Sequence, residues 1–199
     1  MEMITGVILA GGKNRRMGGR EKALLELEGE SILERTLRIL RPLCAELLVV
    51  TNTASCYLDK TWALVGDIFP HKGPLGGIHS GLFYARYPHI FVVACDMPFL
   101  SEALIAHLLS KAKNHDIVVP VVDGKYQPLH AVYGKSCLPR IENLLAADEL
   151  KITNFYHGHR ICTLNEQIIA QYGKTQRFFT NINSQEDWQS LNKNGKGEE

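Results

Sequence analysis

The chain has 199 residues, 45% of them apolar, which is enough for one domain with a sizeable core. Lysine and arginine number 22 against 21 acids, a near-neutral balance that points away from nucleic acid and membrane surfaces as partners. The first residues lack a basic segment before an apolar stretch and no apolar run reaches membrane-spanning length, so a cytoplasmic protein is expected; the five scattered cysteines, with no CxxC pair, read as buried free thiols rather than disulfides or zinc ligands.

The short apolar run Ile4, Val7, Ile8 and Leu9 predicts a buried strand. Gly11 and Gly12 follow, then Lys13, Arg15 and Arg16, a second pair Gly18 and Gly19, and Lys22. Such a loop either cradles a polyphosphate through its backbone N–H groups and cations or is a solvated basic turn. It is neither GxxxxGK[ST] nor GxGxxG, because Gly18 is followed by Gly19, Arg20 and Glu21, and Gly11 and Gly12 are adjacent. Beyond the apolar stretch 23–27 and Gly29, Ser31 and Glu34 form a capping-box pattern. Ile32, Leu33, Thr36, Leu37 and Leu40 then recur at helical spacing until Pro42. Residues 46–51 predict a second strand with Asn52 at its end, and residues 62–65 a third ending in Gly66-Asp67. Asn52 and Asp67 thus sit where parallel sheets bind ligands, or they only shape turns.

Gly73-Pro-Leu-Gly-Gly77 reads as a loop opening a helix over 78–86, with His71 and His79 beside it as ordinary polar residues. Residues 89–94 are the clearest strand, ending in Cys95-Asp96-Met97-Pro98. A carboxylate after a buried strand needs a partner: Asp96 either caps a turn or holds magnesium, and Cys95 is a packing residue. A helix over 101–113 follows, then a strand over 116–122 whose Pro120 implies an edge or bulge. An Asp123-Gly124 turn leads to a returning strand over 126–133, in which His130 reads as buried and hydrogen-bonded. After a helix over 136–147, His157 and His159 lack further ligands for zinc, while Lys151 and Arg160 are available to an anion. A final helix over 184–191 has an acidic first turn. Alternating strands and helices predict an α/β fold, a mostly parallel sheet covered on both faces, with one domain over 1–192 and a flexible tail over 193–199.

Leu9-Ala-Gly-Gly12 followed by Arg16-Met-Gly18 and Lys22 resembles the signature loop of the molybdenum cofactor guanylyltransferase family, with Glu21 where that family has Asp. GPLGG, Cys95-Asp96-Met97-Pro98, the QPLHAVY segment and Asn181-Ile-Asn183 with Asp187 extend the resemblance in the same order. It implies a three-layer α/β/α fold like the nucleoside-diphospho-sugar transferases and magnesium-dependent transfer of GMP from GTP to the phosphate of molybdopterin. It places Leu9, Ala10, Gly11, Gly12, Lys22, Asn52, Asp67 and Asp96 on the nucleotide, Asp96 on the metal, and Asn181 and Asn183 on the pterin side. Arg16, Lys22 and Asp96 are its expected catalytic residues. A monomer making transient contact with other cofactor-biosynthesis proteins or recipient molybdoenzymes is the implied setting, and a CTP-dependent or sugar-phosphate relative is the alternative.

Overall fold

A computed structural model describes residues 3–11, 22–53 and 62–194. Gly12, Arg16 and the rest of the basic loop lie outside the described residues, as does Cys56. In chain order the strands are β1 (Ile4–Leu9), β2 (Glu26–Leu27), β3 (Glu30–Ser31), β4 (Glu46–Val50), β5 (Ala63–Val65), β6 (His89–Ala94), β7 (Ile117–Val122), β8 (Lys125–Tyr126), β9 (His130–Gly134) and β10 (Ile161–Leu164). The helices are α1 (Ile32–Leu40), α2 (Gly73–Tyr84), α3 (Glu102–Ser110), α4 (Leu138–Ala146), α5 (Glu166–Ile169), α6 (Thr175–Phe178) and α7 (Gln185–Asn194).

The main sheet runs β10-β7-β9-β6-β1-β4-β5, with β8 attached to β7. All its spanning strands are parallel except β9, which is antiparallel to both β6 and β7. Side chains alternate along β1: Ile4 and Ile8 face one core layer, Val7 and Leu9 the other. The first layer is closed by Leu33, Leu37 and Leu40 of α1 and by Leu104, Ile105 and Leu108 of α3. Leu75, Ile78 and Leu82 of α2 and Ile141, Leu144 and Leu145 of α4 close the second. Helices on both faces of a mostly parallel sheet are the architecture expected from the alternation of elements.

Local chemistry explains the elements that the pattern foretells. Ser31 accepts from the Glu34 N–H and Glu34 reaches back to the Ser31 N–H, so the capping box at α1 is complete and contributes about 1 kcal/mol. Asp123 and Gly124 both have positive φ, 49° and 68°, as the tight β7–β8 turn requires.

Four local expectations are corrected. GPLGG is not a loop before a helix: it is the first turn of α2, with Pro74 in the position where its missing N–H costs nothing. Pro120 does not mark an edge, since β7 is an interior strand; it falls between the stretch paired with β9 (Ile117, Val118) and that paired with β8 (Val121, Val122). The return over 126–133 is two strands, β8 and β9, rather than one. The elements β10, α5 and α6 have no counterpart in the periodicity, being four residues each. The last helix continues to Asn194, and residues 195–199 lie outside the described set.

Helix α2 lies close to the sheet because its inward face is small. A Cβ placed on Gly81 would stand 2.8 Å from Val7 Cγ1 and 3.2 Å from Val7 Cγ2, on the central strand. Gly81→Ala is therefore expected to destabilise the fold by about 1–3 kcal/mol, as an overpacked core does, read as a lower urea midpoint at unchanged m-value.

Candidate active site

Four adjacent parallel strands, β6, β1, β4 and β5, end at one edge of the sheet. The residues that follow them are Cys95-Asp96, Ala10-Gly11, Thr51-Asn52 and Gly66-Asp67. Ladder bonds continue past the strand ends, with the Cys95 N–H donating to Leu9 O at 3.1 Å and the Ala10 N–H to Val50 O at 2.9 Å. These bonds hold the loops side by side, in the crevice where open α/β sheets bind ligands. Leu9 and Ala10 are buried and Gly11 is exposed. Leu9 packs on Gly77 of α2, where a Cβ would meet Leu9 Cδ2 at 3.1 Å. Leu9 and Ala10 thus shape the floor, and Gly11 is the first residue of the loop open to a ligand.

Asn52 and Asp67 hold each other. Asn52 Nδ2 donates to Asp67 Oδ2 at 2.7 Å and the Asp67 N–H donates back to Asn52 Oδ1 at 3.1 Å. The two polar groups expected at separate strand ends therefore form one unit.

Lys22 lies 3.6 Å, Nζ to Oδ2, from Asp96, and both side chains are partly buried. Burial raises the Asp96 carboxyl above its ordinary range, an effect that Lys22 only partly offsets. A desolvated carboxylate with one cation at ion-pair distance still favours further positive charge. Among the described residues no group of three or more His, Cys, Asp or Glu could hold a metal. A donor set of one carboxylate, Asp96, suits a hard ion such as magnesium, which fills its remaining positions with phosphate oxygens and water. It does not fit zinc.

The C-terminal segment reaches the same place. The Ile182 N–H donates to the Asp96 carbonyl at 2.8 Å, and the Ile182 side chain is buried with Leu25 and Ile32. Asn181 and Asn183, on either side of Ile182, are thereby brought beside the Asp96 loop. Asp187, read from the sequence as a first-turn acid and as the end of the Asn-Ile-Asn-x-x-x-Asp pattern, clamps this segment. Its Oδ2 accepts the N–H groups of Asn183 and Ser184 at 2.9 Å each, while Ser184 Oγ accepts the Asp187 N–H at 3.1 Å. The bonds from Asn183 and Ser184 hold the Asp187 carboxyl below its usual range. The Ser-x-x-Asp spacing before the last helix was the signal for this clamp.

Other candidates are set apart from the site. Arg160 precedes β10, at the opposite end of the sheet, and is engaged with Asp116 through Nε (3.2 Å), Nη2 (3.3 Å) and its own N–H (2.9 Å). These bonds keep the Asp116 carboxyl well below the usual range. His79 is buried, with its ring edge-to-face on Phe69 and Nε2 3.2 Å from Glu142, so it is a packing residue. His130 is buried as expected, but neither ring nitrogen has a hydrogen-bond partner among the described residues. Cys44, Cys137 and Cys162 are free thiols, and burial pushes Cys44 and Cys137 up to about 12.

The chain matches a family model, the MobA-like NTP transferase domain, over residues 6–160. It is 36% identical to a molybdenum cofactor guanylyltransferase of Desulfosudis oleivorans over 94% of this chain and 93% of that protein. It is likewise 36% identical to a probable molybdenum cofactor guanylyltransferase of Pelotomaculum thermopropionicum, over 94% of this chain and 91% of that protein. Among solved structures, molybdopterin-guanine dinucleotide biosynthesis protein A of Archaeoglobus fulgidus superposes with a TM-score of 0.83 at 22% identity, covering 98% of this chain and all of that one. A nucleotidyl transferase from Methanothermobacter superposes with a TM-score of 0.68 at 19% identity, covering 96% of this chain and 97% of that one. With a lysine–carboxylate pair and an Asn–Asp pair along one sheet edge, the chain belongs to the molybdenum cofactor guanylyltransferases, nucleotidyltransferases built on the MobA-like NTP transferase domain.

Proposed function

We propose that the chain transfers GMP from GTP to the terminal phosphate of molybdopterin, forming molybdopterin guanine dinucleotide and releasing pyrophosphate. The observation that carries this reading is the Lys22–Asp96 pair at the carboxyl ends of the strands, with the Asn181–Asn183 segment bonded to the Asp96 backbone. In the transfer an oxygen of the acceptor phosphate bonds to the α-phosphorus of GTP, and the bond from that phosphorus to the β-bridging oxygen breaks. The acceptor phosphate is ionised at neutral pH, so no protein nucleophile or general base is required. The obstacle is bringing two anions together, and fixed charge answers it.

Lys22 supplies a cation whose carboxylate partner keeps it in place before substrate arrives. Leu9, Ala10 and Gly11 lie at the end of β1 under the triphosphate, and Gly12 and Arg16, outside the described residues, are assigned to it from the sequence, Arg16 as a second cation. Asn52 and Asp67 offer the nucleoside their remaining donors and acceptors, and the reciprocal bonds between them fix that geometry beforehand. Asn181 and Asn183 face the pterin side of the cleft. Asp96 would hold the magnesium ion, which when bound neutralises charge on the phosphate oxygens. On this reading the enzyme is a cytoplasmic monomer that hands its product to other biosynthetic proteins or recipient molybdoenzymes. No helix of the described residues is long and apolar enough to cross a membrane.

Pyrophosphate release tests the reading, with GTP, CTP and ATP each crossed against molybdopterin and sugar phosphates in the presence of magnesium. Release only with GTP and molybdopterin is expected. Release with CTP or a sugar phosphate instead would overturn the substrate assignment. Lys22→Met should lower kcat/KM by ~10²–10³, the scale of one lost transition-state contact, with a small drop in the unfolding midpoint because Asp96 loses the cation that offsets part of its desolvation.

A further inference from the structure

Residues 67–69 lie in the loop between β5 and α2, and one face of α2 holds them from behind. That face carries Gly76 with His79 and Ser80, three and four residues further on. Ser80 is fully buried, and its Oγ accepts the Ile68 N–H at 2.9 Å. The His79 ring packs edge-to-face on Phe69, with centroids 4.8 Å apart. A Cβ on Gly76 would stand 2.9 Å from the Phe69 carbonyl oxygen, so the glycine lets the loop lie this close to the helix. We propose that Ser80 is a positioning residue for the nucleotide: by holding the Ile68 N–H it fixes the Asn52–Asp67 pair and so raises affinity for GTP, a role that rests on the reaction proposed above.

Both peptide units flanking Asp67 are anchored by side chains. On one side the Asp67 N–H donates to Asn52 Oδ1 at 3.1 Å, and on the other the Ile68 N–H donates to Ser80. Peptide units are planar, so fixing two in succession leaves the Asp67 backbone little freedom to turn its carboxylate away from Asn52. Apart from the Phe69–His79 contact the loop buries little of its own surface, since Ile68 is 37% exposed. The chain then reverses into α2 through positive φ at His71 (64°) and Gly73 (61°).

The anchor is rigid where the loop is not. Gly77 and Gly81 set α2 against Leu9 and Val7 of β1, where an added Cβ would stand 3.1 and 2.8 Å from those side chains. Ser80 lies between these two glycines and therefore ties the nucleoside end of the cleft to the strand beneath the triphosphate. It acts through the backbone rather than on the substrate. A serine hydroxyl supplies the acceptor at little volume, and alanine would take that acceptor from the Ile68 N–H.

Calorimetric titration of GTP with magnesium into the full chain, beside steady-state pyrophosphate release, tests the role. Ser80→Ala should weaken GTP binding about fivefold, the scale of one neutral hydrogen bond, and raise the KM for GTP equally. Its kcat and its KM for molybdopterin should stay within about twofold of the parent, a split that general loosening of the fold would not give. In an Asp67→Ala background the same change should alter GTP affinity by less than about twofold, because the group that Ser80 positions is gone. Unchanged GTP affinity in Ser80→Ala, a full-size effect in the Asp67→Ala background, or an equal loss in kcat would overturn the proposal while leaving the reaction in place. A parent that binds no GTP would overturn it together with the nucleotide assignment beneath it. Phe69→Leu, which removes the ring packed on His79 from the same loop, should also weaken GTP and keeps the test valid if Ser80→Ala fails to fold; unchanged affinity there would then overturn the proposal.

Discussion

Asp96→Asn is expected to fold at least as stably as the parent while losing ~10²–10³ in kcat, a separation that few other positions should show. The stability half follows from burial. Desolvation raises the folded-state Asp96 carboxyl above its unfolded value, so the folded chain binds more protons than the unfolded chain between the two values. Stability contributed by this group is present at low pH and falls as pH rises through that interval. At neutral pH the ionised group is held at a net cost, which asparagine removes. The catalytic half follows from charge: asparagine keeps the shape but cannot hold a divalent cation or anchor Lys22. Thermal unfolding beside single-turnover pyrophosphate release checks both halves. A variant that melts early would make Asp96 a structural residue, and one that retains activity would remove it from the chemistry.

His130 should govern how the fold responds to acid. Its ring is fully buried, edge-to-face with Phe91 at 5.2 Å and Phe179 at 5.3 Å, and burial lowers its pKa to about 3. An unfolded histidine titrates near 6.5, so between these values the unfolded chain binds the extra proton. Stability from this group is then complete above about 6.5 and falls by roughly 1.4 kcal/mol per pH unit on acidification. At pH 5 the loss is about 2 kcal/mol, a large share of a typical folding free energy. His130→Phe keeps an aromatic ring between Phe91 and Phe179 and has nothing to titrate. Its unfolding free energy should change less between pH 7 and pH 5 than the parent's, by about that amount. Equal slopes in the two proteins would mean that His130 gains a partner or a proton in the folded state.

How far the sequence discloses this molecule depends on the range of the interaction concerned. Strand β1, α1 with its capping box and the Asp-Gly turn are written locally, in periodicity and in side chains that satisfy their own backbone. Asp96 was legible because an acid after a wholly apolar strand is a local anomaly. Gly12 and Arg16 were read from the same kind of signal and lie outside the described residues. GPLGG was misplaced because glycines usually break helices; here contact with the sheet decides, since Val7 leaves no room for a Cβ at Gly81 and Leu9 leaves little at Gly77. Pro120 was misplaced because the change of partner from β9 to β8 is a property of the sheet, invisible along one strand. His130 was read as hydrogen-bonded from the general rule for buried polar groups, which its two phenylalanine neighbours override.

The bond from Ile182 to the Asp96 carbonyl makes late residues of the chain part of the support of the Asp96 loop. The family match ends at residue 160, yet this segment lies beyond it and is secured by Asp187 and by the Trp188 indole, which donates to Glu26 O at 3.2 Å. The matched region is therefore not self-sufficient: a chain cut at residue 160 would lose the cover that Ile182 gives to Leu25 and Ile32 and the donor it gives to the Asp96 carbonyl.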